Sequence, residues 1–264
     1  MESIKKAAKA IKEAKSLLIT AGAGMGVDSG LPDFRGDEGF WKAYPVAKKL
    51  GLNFQALANP KWFDVNPRLA WAFYGHRLNL YRNTTPHEGF EILKNLPHNK
   101  FVFTSNVDGH FQKAGFSELR VVEIHGSINY LQCSEPCCNK IWENIYEIEV
   151  DEEKFEAKNL PLCKFCKKIA RPNILMFSDF KFVDKRVDLQ MARFKFWLSQ
   201  LEDKLVIIEI GAGKDVPTVR TMSERVKKRF KATLIRINPK DSDGADIEIK
   251  TGALEALKAI QNHL

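Results

Sequence analysis

Six short runs in this chain, residues 17–20, 101–104, 121–124, 205–210, 233–237 and 247–249, are mostly β-branched and apolar with little alternation. Strands of that kind must be covered on both faces, as in a parallel sheet flanked by helices. Helical spacing fills the intervals at 67–82, 87–96, 109–114, 216–230 and 253–261, with Pro67 after Asn66 as a helix start. The N-terminal MESIKKAAKAIKEAK repeats Ile4, Ala7, Ala8, Ile11 and Ala14 at helical spacing and reads as a surface helix. Strand and helix in alternation predict an α/β protein with a doubly wound, Rossmann-like parallel sheet. A length of 264 residues suits one large domain with a smaller insertion.

Composition narrows the class. No apolar run has membrane-spanning length, and the charged N-terminus has neither the apolar core nor the cleavage site of a signal peptide. A cytoplasmic protein with no membrane partner is the expectation. The net charge of +8 comes from scattered lysines, so it reads as a solvated surface and makes a nucleic-acid partner unlikely on sequence grounds.

The first strand runs into TAGAGMGVDSGLPDFRG, residues 20–36, with glycines at 22, 24 and 26. In an open α/β sheet ligands bind at the carboxyl ends of strands, and glycine there lets backbone approach a pyrophosphate. Gly211-Ala212-Gly213 repeats the feature after the strand at 205–210. Neither loop is a P-loop, since no Gly-Lys-Ser/Thr follows, and a tight strand-to-helix turn would use the same residues.

All five cysteines fall between positions 133 and 166. Cys133-x3-Cys137 and Cys163-x2-Cys166 form two close pairs, the spacing of two knuckles closing one tetrahedral thiolate zinc site. Disulfides would need an oxidising compartment that nothing in the sequence indicates. Cys138 is a possible substitute for Cys137, which gives the tighter spacing. Four cysteine ligands leave no open position, so such a zinc holds structure.

These residues together resemble the sirtuins, the NAD-dependent protein lysine deacylases, in order and over nearly the whole chain. The matching motifs are Gly22-Ala23-Gly24 with Ser29 to Gly36, Thr104-Ser105-Asn106-Val107-Asp108, His125-Gly126, the cysteine pairs, Arg171-Pro172, Phe177-Ser178-Asp179 and Ile237-Asn238. The resemblance implies an NAD-binding domain of residues 1–126 and 178–264 with a zinc-binding insertion at 127–177, and an acyl-lysine protein or peptide as substrate. It assigns NAD contacts to Gly22, Ala23, Gly24, Asp33, Phe34, Arg35, Ser105, Gly211, Ala212 and Asn238. Phe34 would shield the ribose from water, and Asn106 and Asp108 would hold and expel the nicotinamide amide. Helix capping is the other reading for those last two. His125, at the end of the 121–124 strand, would be the base that takes a proton from a ribose hydroxyl. The products would be nicotinamide, deacylated lysine and O-acyl-ADP-ribose.

WAFYGHR places Tyr74 and Arg77 on one helix face, where sirtuins that remove succinyl, malonyl and glutaryl groups carry Tyr-x-x-Arg. Phenol and guanidinium suit a carboxylate end, with Phe177 also on the substrate side. An amphipathic helix with Tyr74 half buried and Arg77 solvated is the alternative. The chain departs from the family pattern at Gly26 and Ala212-Gly213, which replace hydroxyl residues, at Ser105 for glutamine, at Ser178-Asp179 for Gly-Glu, and at His87 and Phe90 for asparagine and histidine. Two other functions stay open on sequence: ADP-ribosyl transfer or NAD hydrolysis, and a non-catalytic NAD-binding sensor or scaffold.

Overall fold

A computed structural model describes residues 1–32, 40–42, 44–202 and 204–264. Its strands, in chain order, are β1 (Ser16–Ala21), β2 (Asn99–Thr104), β3 (Val121–Glu123), β4 (Gly126–Cys133), β5 (Trp142–Glu143), β6 (Val150–Asp151), β7 (Glu156–Ala157), β8 (Ala170–Ile174), β9 (Leu205–Ile210), β10 (Thr233–Ile237) and β11 (Ile247–Ile249). The helices of eight or more residues are α1 (Glu2–Glu13), α2 (Pro67–Asn83), α3 (Glu88–Asn95), α4 (Lys185–Ser199), α5 (Thr218–Phe230) and α6 (Ala253–Gln261). Asn66 opens α2 as expected, its Oδ1 accepting the Leu69 N–H at 3.1 Å with Pro67 at the first turn.

Six strands form one sheet in the order β11-β10-β9-β1-β2-β3, and every pairing in it is parallel. The apolar runs are buried on both faces for a visible reason. Leu17, Ile19, Val102, Ile208 and Ile235 pack with α1, α3 and α6. Leu18, Phe101, Phe103, Ile207 and Leu234 pack with Phe194 and Trp197 of α4 and Val226 of α5. Each such side chain contributes about 1.5–3 kcal/mol on burial. The chain order reverses between β1 and β9, a switch point of the kind at whose carboxyl side open α/β sheets bind ligands.

A second, antiparallel sheet of β5-β4-β8 stands apart from the first, with β6 and β7 as a separate hairpin. Its core joins Ile128, Leu131, Ala170 and Ile174 to Trp71, Phe73, Tyr74 and Leu78 of α2. The insertion at 127–177 therefore shares its core with Leu31, Phe40 and described residues from Tyr44 to Tyr81, which sequence alone grouped with the large sheet. Among the described residues no helix is long and apolar enough to cross a membrane.

Candidate active site and metal centre

The two glycine loops meet each other. The Gly22 N–H donates to the Ile210 carbonyl at 3.0 Å and the Gly24 N–H to the Gly211 carbonyl at 3.1 Å. A Cβ on Gly22 would lie 2.7 Å from the Gly211 oxygen, and one on Gly211, whose φ is +62°, would lie 2.4 Å from the Gly24 carbonyl carbon. Backbone against backbone leaves no room for a side chain on these inner surfaces. Position 213 is open, with nothing within 4 Å of a Cβ, and at Gly26 a Cβ would meet only the Leu31 side chain, at 3.1 Å or more. The hydroxyls missing there are not excluded by packing.

These loops form one wall of a cavity of about 640 Å³ at the carboxyl ends of β1, β2, β3 and β9. Gly22, Ala23, Ser105, Asn106, Asp108, His125, Gly211, Ala212 and Gly213 line it together with Phe54, Tyr74, Arg77, Tyr81, Met176 and Phe177. Gly24 supports the loop contact, and Asn238 lies behind the second loop, fully buried. Its Nδ2 donates to the Ala212 carbonyl at 2.9 Å while its Oδ1 accepts the Lys240 and Asp241 N–H groups, so it shapes the loop. Asp33, Phe34 and Arg35 lie outside the described residues.

The turn after β2 is fastened to the first loop. Thr104 Oγ1 donates to the Ala21 carbonyl at 2.9 Å, the Asn106 N–H donates to Thr104 Oγ1, and Asn106 Nδ2 donates to the Gly22 carbonyl at 2.9 Å. Asp108 Oδ1 accepts the His110 N–H at 2.8 Å in the turn before the short helix at His110–Lys113, whose N-cap is Gly109 and carries no side-chain cap. Burial raises the Asp108 carboxyl, against the opposing pull of His110 and Arg77.

His125 Nε2 stands 3.3 Å from the Thr218 hydroxyl at the start of α5. Burial lowers its pKa, so the ring is neutral near pH 7. Gly126 follows because the Asn173 carbonyl would lie 2.1 Å from any Cβ there, at a φ of +79°. The His125 carbonyl accepts the Leu175 N–H, which ties this turn to the chain leaving β8.

Tyr74 and Arg77 are 1% and 7% exposed, so the solvated alternative for Arg77 does not hold. Arg77 donates from Nε and Nη2 to the Tyr81 hydroxyl, and its guanidinium lies over the rings of Phe73 and Tyr81 at 5.3 and 5.4 Å. Sequence reasoning missed Tyr81, although it stands four residues after Arg77 on the same face of α2. It also missed Thr218. The loop after β8 is anchored by a buried ion pair, Arg171 Nη2 to Asp179 Oδ2 at 2.6 Å, and Ser178 takes a φ of +55°.

Cys133, Cys137, Cys163 and Cys166 place their sulfurs within 4.8 Å of one another, and two of the separations are 3.5 and 3.7 Å. Zinc–sulfur bonds of about 2.3 Å in a tetrahedron require separations of about 3.8 Å. The Phe165 N–H donates to Cys163 Sγ at 3.4 Å, and the Lys168 N–H pulls the Cys166 thiol down to about 7. The spacing of the four sulfurs is what fits a structural zinc. Cys138 lies outside the cluster, 3.8 Å from Cys137.

A parallel sheet whose order reverses above a cavity, with a four-cysteine module beside it, defines a Rossmann-like α/β protein with a structural-metal insertion. The profile of the Sir2 family matches residues 22–216. The NAD-dependent protein deacylase 1 of Archaeoglobus fulgidus is 30% identical over 97% of this chain and 96% of its own length. The NAD-dependent protein deacylase of Aeropyrum pernix is 28% identical over 97% and 95%. The structure of a Sir2 homologue in complex with NAD superposes with a TM-score of 0.77 at 26% identity, covering 98% of this chain and 93% of that one. The chain belongs to the Sir2 family.

Proposed function

We propose that the protein is an NAD-dependent protein lysine deacylase that favours acyl groups ending in a carboxylate. The observation that carries this reading is one cavity lined both by the glycine loops, Asn106, Asp108 and His125 and by buried Arg77 with Tyr74, Tyr81 and Phe177. The names of the relatives and the NAD complex of the structural neighbour support it.

NAD, when bound, supplies the ribose carbon that accepts the acyl oxygen as nicotinamide departs. Gly22, Ala23, Ser105, Gly211 and Ala212 form the surface against which it would lie, and Asn238 acts by fixing Ala212. Asn106 and Asp108 orient the carboxamide end. His125, neutral through burial, takes a proton at Nε2 from a ribose hydroxyl, which takes the place of the Thr218 hydroxyl that lies 3.3 Å from that nitrogen. Phe177 flanks the acyl-lysine chain, whose acidic end matches the buried guanidinium of Arg77 in charge. The four cysteines hold zinc away from the reaction.

Incubation with NAD and peptides of one sequence carrying acetyl-, succinyl- or malonyl-lysine, with products separated by mass, tests the reading. O-acyl-ADP-ribose supports it. ADP-ribosylated protein would indicate a transferase, free ADP-ribose with intact acyl peptide a hydrolase, and unchanged NAD a sensor. Arg77→Met should lower kcat/KM for succinyl peptide by tenfold to about a hundredfold, the range of a charge-assisted hydrogen bond, and spare acetyl turnover by comparison. An equal fall for both would make Arg77 structural.

A further inference from the structure

The guanidinium of Arg77 reaches the cavity in the grip of a residue one turn further along α2. Its Nε and Nη2 donate to a single oxygen, the hydroxyl of Tyr81, at 3.0 and 2.8 Å. Tyr81 is 6% exposed and lines the same cavity as Tyr74 and Arg77. A phenol oxygen has two acceptor sites and one proton to give. Both acceptor sites are taken by Arg77, so the O–H is turned away from the guanidinium. Among the described residues no acceptor takes that proton. The carboxylate of Asp108 receives the His110 N–H instead, and the Tyr81 carbonyl is engaged with His110 Nε2 at 3.3 Å. Burial raises the phenol above its ordinary value, so the O–H persists across the physiological range.

A buried donor without an acceptor is costly, and a ligand that brings an acceptor recovers that cost. An acetyl group ends in a methyl and brings none. A terminal carboxylate brings two oxygens and a negative charge to a wall made of a guanidinium and phenols. We propose that Tyr81 is a specificity-determining residue of the acyl end, donating its O–H to the terminal carboxylate of a dicarboxylic acyl group on the substrate lysine. This assignment rests on the acidic-acyl reading above and gives the phenol's role to Tyr81 beside Tyr74.

The test is Tyr81→Phe, which removes one oxygen and keeps the ring. KM and kcat are measured for succinyl- and acetyl-lysine peptides of one sequence, at saturating NAD, on the parent and the variant. The parent should prefer succinyl, and the variant's succinyl-to-acetyl ratio of kcat/KM should fall at least about tenfold, chiefly through KM for the succinyl peptide. A ratio that stays within about twofold of the parent's would overturn the assignment to Tyr81 and leave the acidic-acyl reading standing. A parent that prefers acetyl would overturn that reading, and this inference with it. A crystal structure of the parent with a slowly reacting succinyl-lysine peptide decides the matter if the variant does not fold. Tyr81 Oη should lie within about 3 Å of a carboxylate oxygen, and a separation beyond about 4 Å overturns the contact.

Discussion

His125, the base in our proposal, takes its expected behaviour from its surroundings. Burial favours the neutral imidazole, so the base form extends below the ordinary histidine value of 6.5. The acid limb of kcat/KM should accordingly fall below pH 6.5, and His125→Ala should abolish that limb along with about a hundredfold or more of the rate. Calorimetric titration with NAD should show the variant still binding; turnover near the parent rate would remove His125 from the proton transfer. Ser178 is the converse case, a residue in a place that suits another. Its φ of +55° costs a non-glycine residue about 1–2 kcal/mol, of which glycine returns roughly 0.4–1 to the unfolded chain as entropy. Ser178→Gly should therefore raise stability by up to about 1 kcal/mol in urea unfolding, and a loss of stability would mean that the hydroxyl has a partner in solution.

Among the elements, the paired glycine loops act as one unit because neither can carry a side chain on its inner surface. Gly211→Ala must move the Gly24 backbone and adopt a positive φ, which should cost about 2–4 kcal/mol and weaken NAD binding together with stability. Gly213→Ala, facing open space, is the control that thermal melts should leave nearly unmoved. The strands of the large sheet were legible in the sequence because double-sided burial keeps them mostly apolar, and the interrupting Glu123, Glu209 and Arg236 are themselves buried in ion pairs. The strands β4 and β8 were not legible, for a physical reason. Pro172 sits in β8 opposite Leu131, next to a shift in register, a place where the missing N–H is tolerated but the strand signal is lost. Helix α4 went unread because its stripe is blurred. Gln190 is buried, its Oε1 accepting the Glu123 N–H, while Leu189 and Phe196 point to solvent. Of the candidate site, motif residues came from resemblance, and Tyr81 and Thr218 came only from geometry, since no motif marks a second partner of Arg77 or of His125.

The molecule as a whole should be acid-sensitive. His76, His87, His98 and His125 all have pKa values lowered by burial. Each takes up a proton in the unfolded chain at about pH 6.5, and in the folded chain only at lower pH. Their contribution to stability is therefore complete above 6.5 and is lost as pH falls below it. His87 makes the loss local, for its Nδ1 accepts the Gly89 N–H at the start of α3 while Nε2 faces the Met25 carbonyl of the first glycine loop. Urea midpoints measured from pH 8 to pH 5 should decline below 6.5, and His87→Asn should flatten part of that decline. Removing zinc should unfold the small unit while the large sheet persists, since such a metal supplies on the order of 10 kcal/mol of folding free energy to its module. Far-ultraviolet dichroism with and without chelator would show a partial loss, and no change at all would rule out a bound metal.

The strand β8 gives that metal a reach beyond its own ligands. It begins four residues after Cys166 and ends at Ile174, where the chain turns along the cavity to Phe177. Five residues at about 3.3 Å each span roughly 17 Å, a short and stiff connection. In our proposal a chelator that unfolds the small unit takes with it the wall assigned to the acyl-lysine and leaves the glycine loops alone. The treated protein would lose the peptide and keep the dinucleotide, although the chelator touches neither.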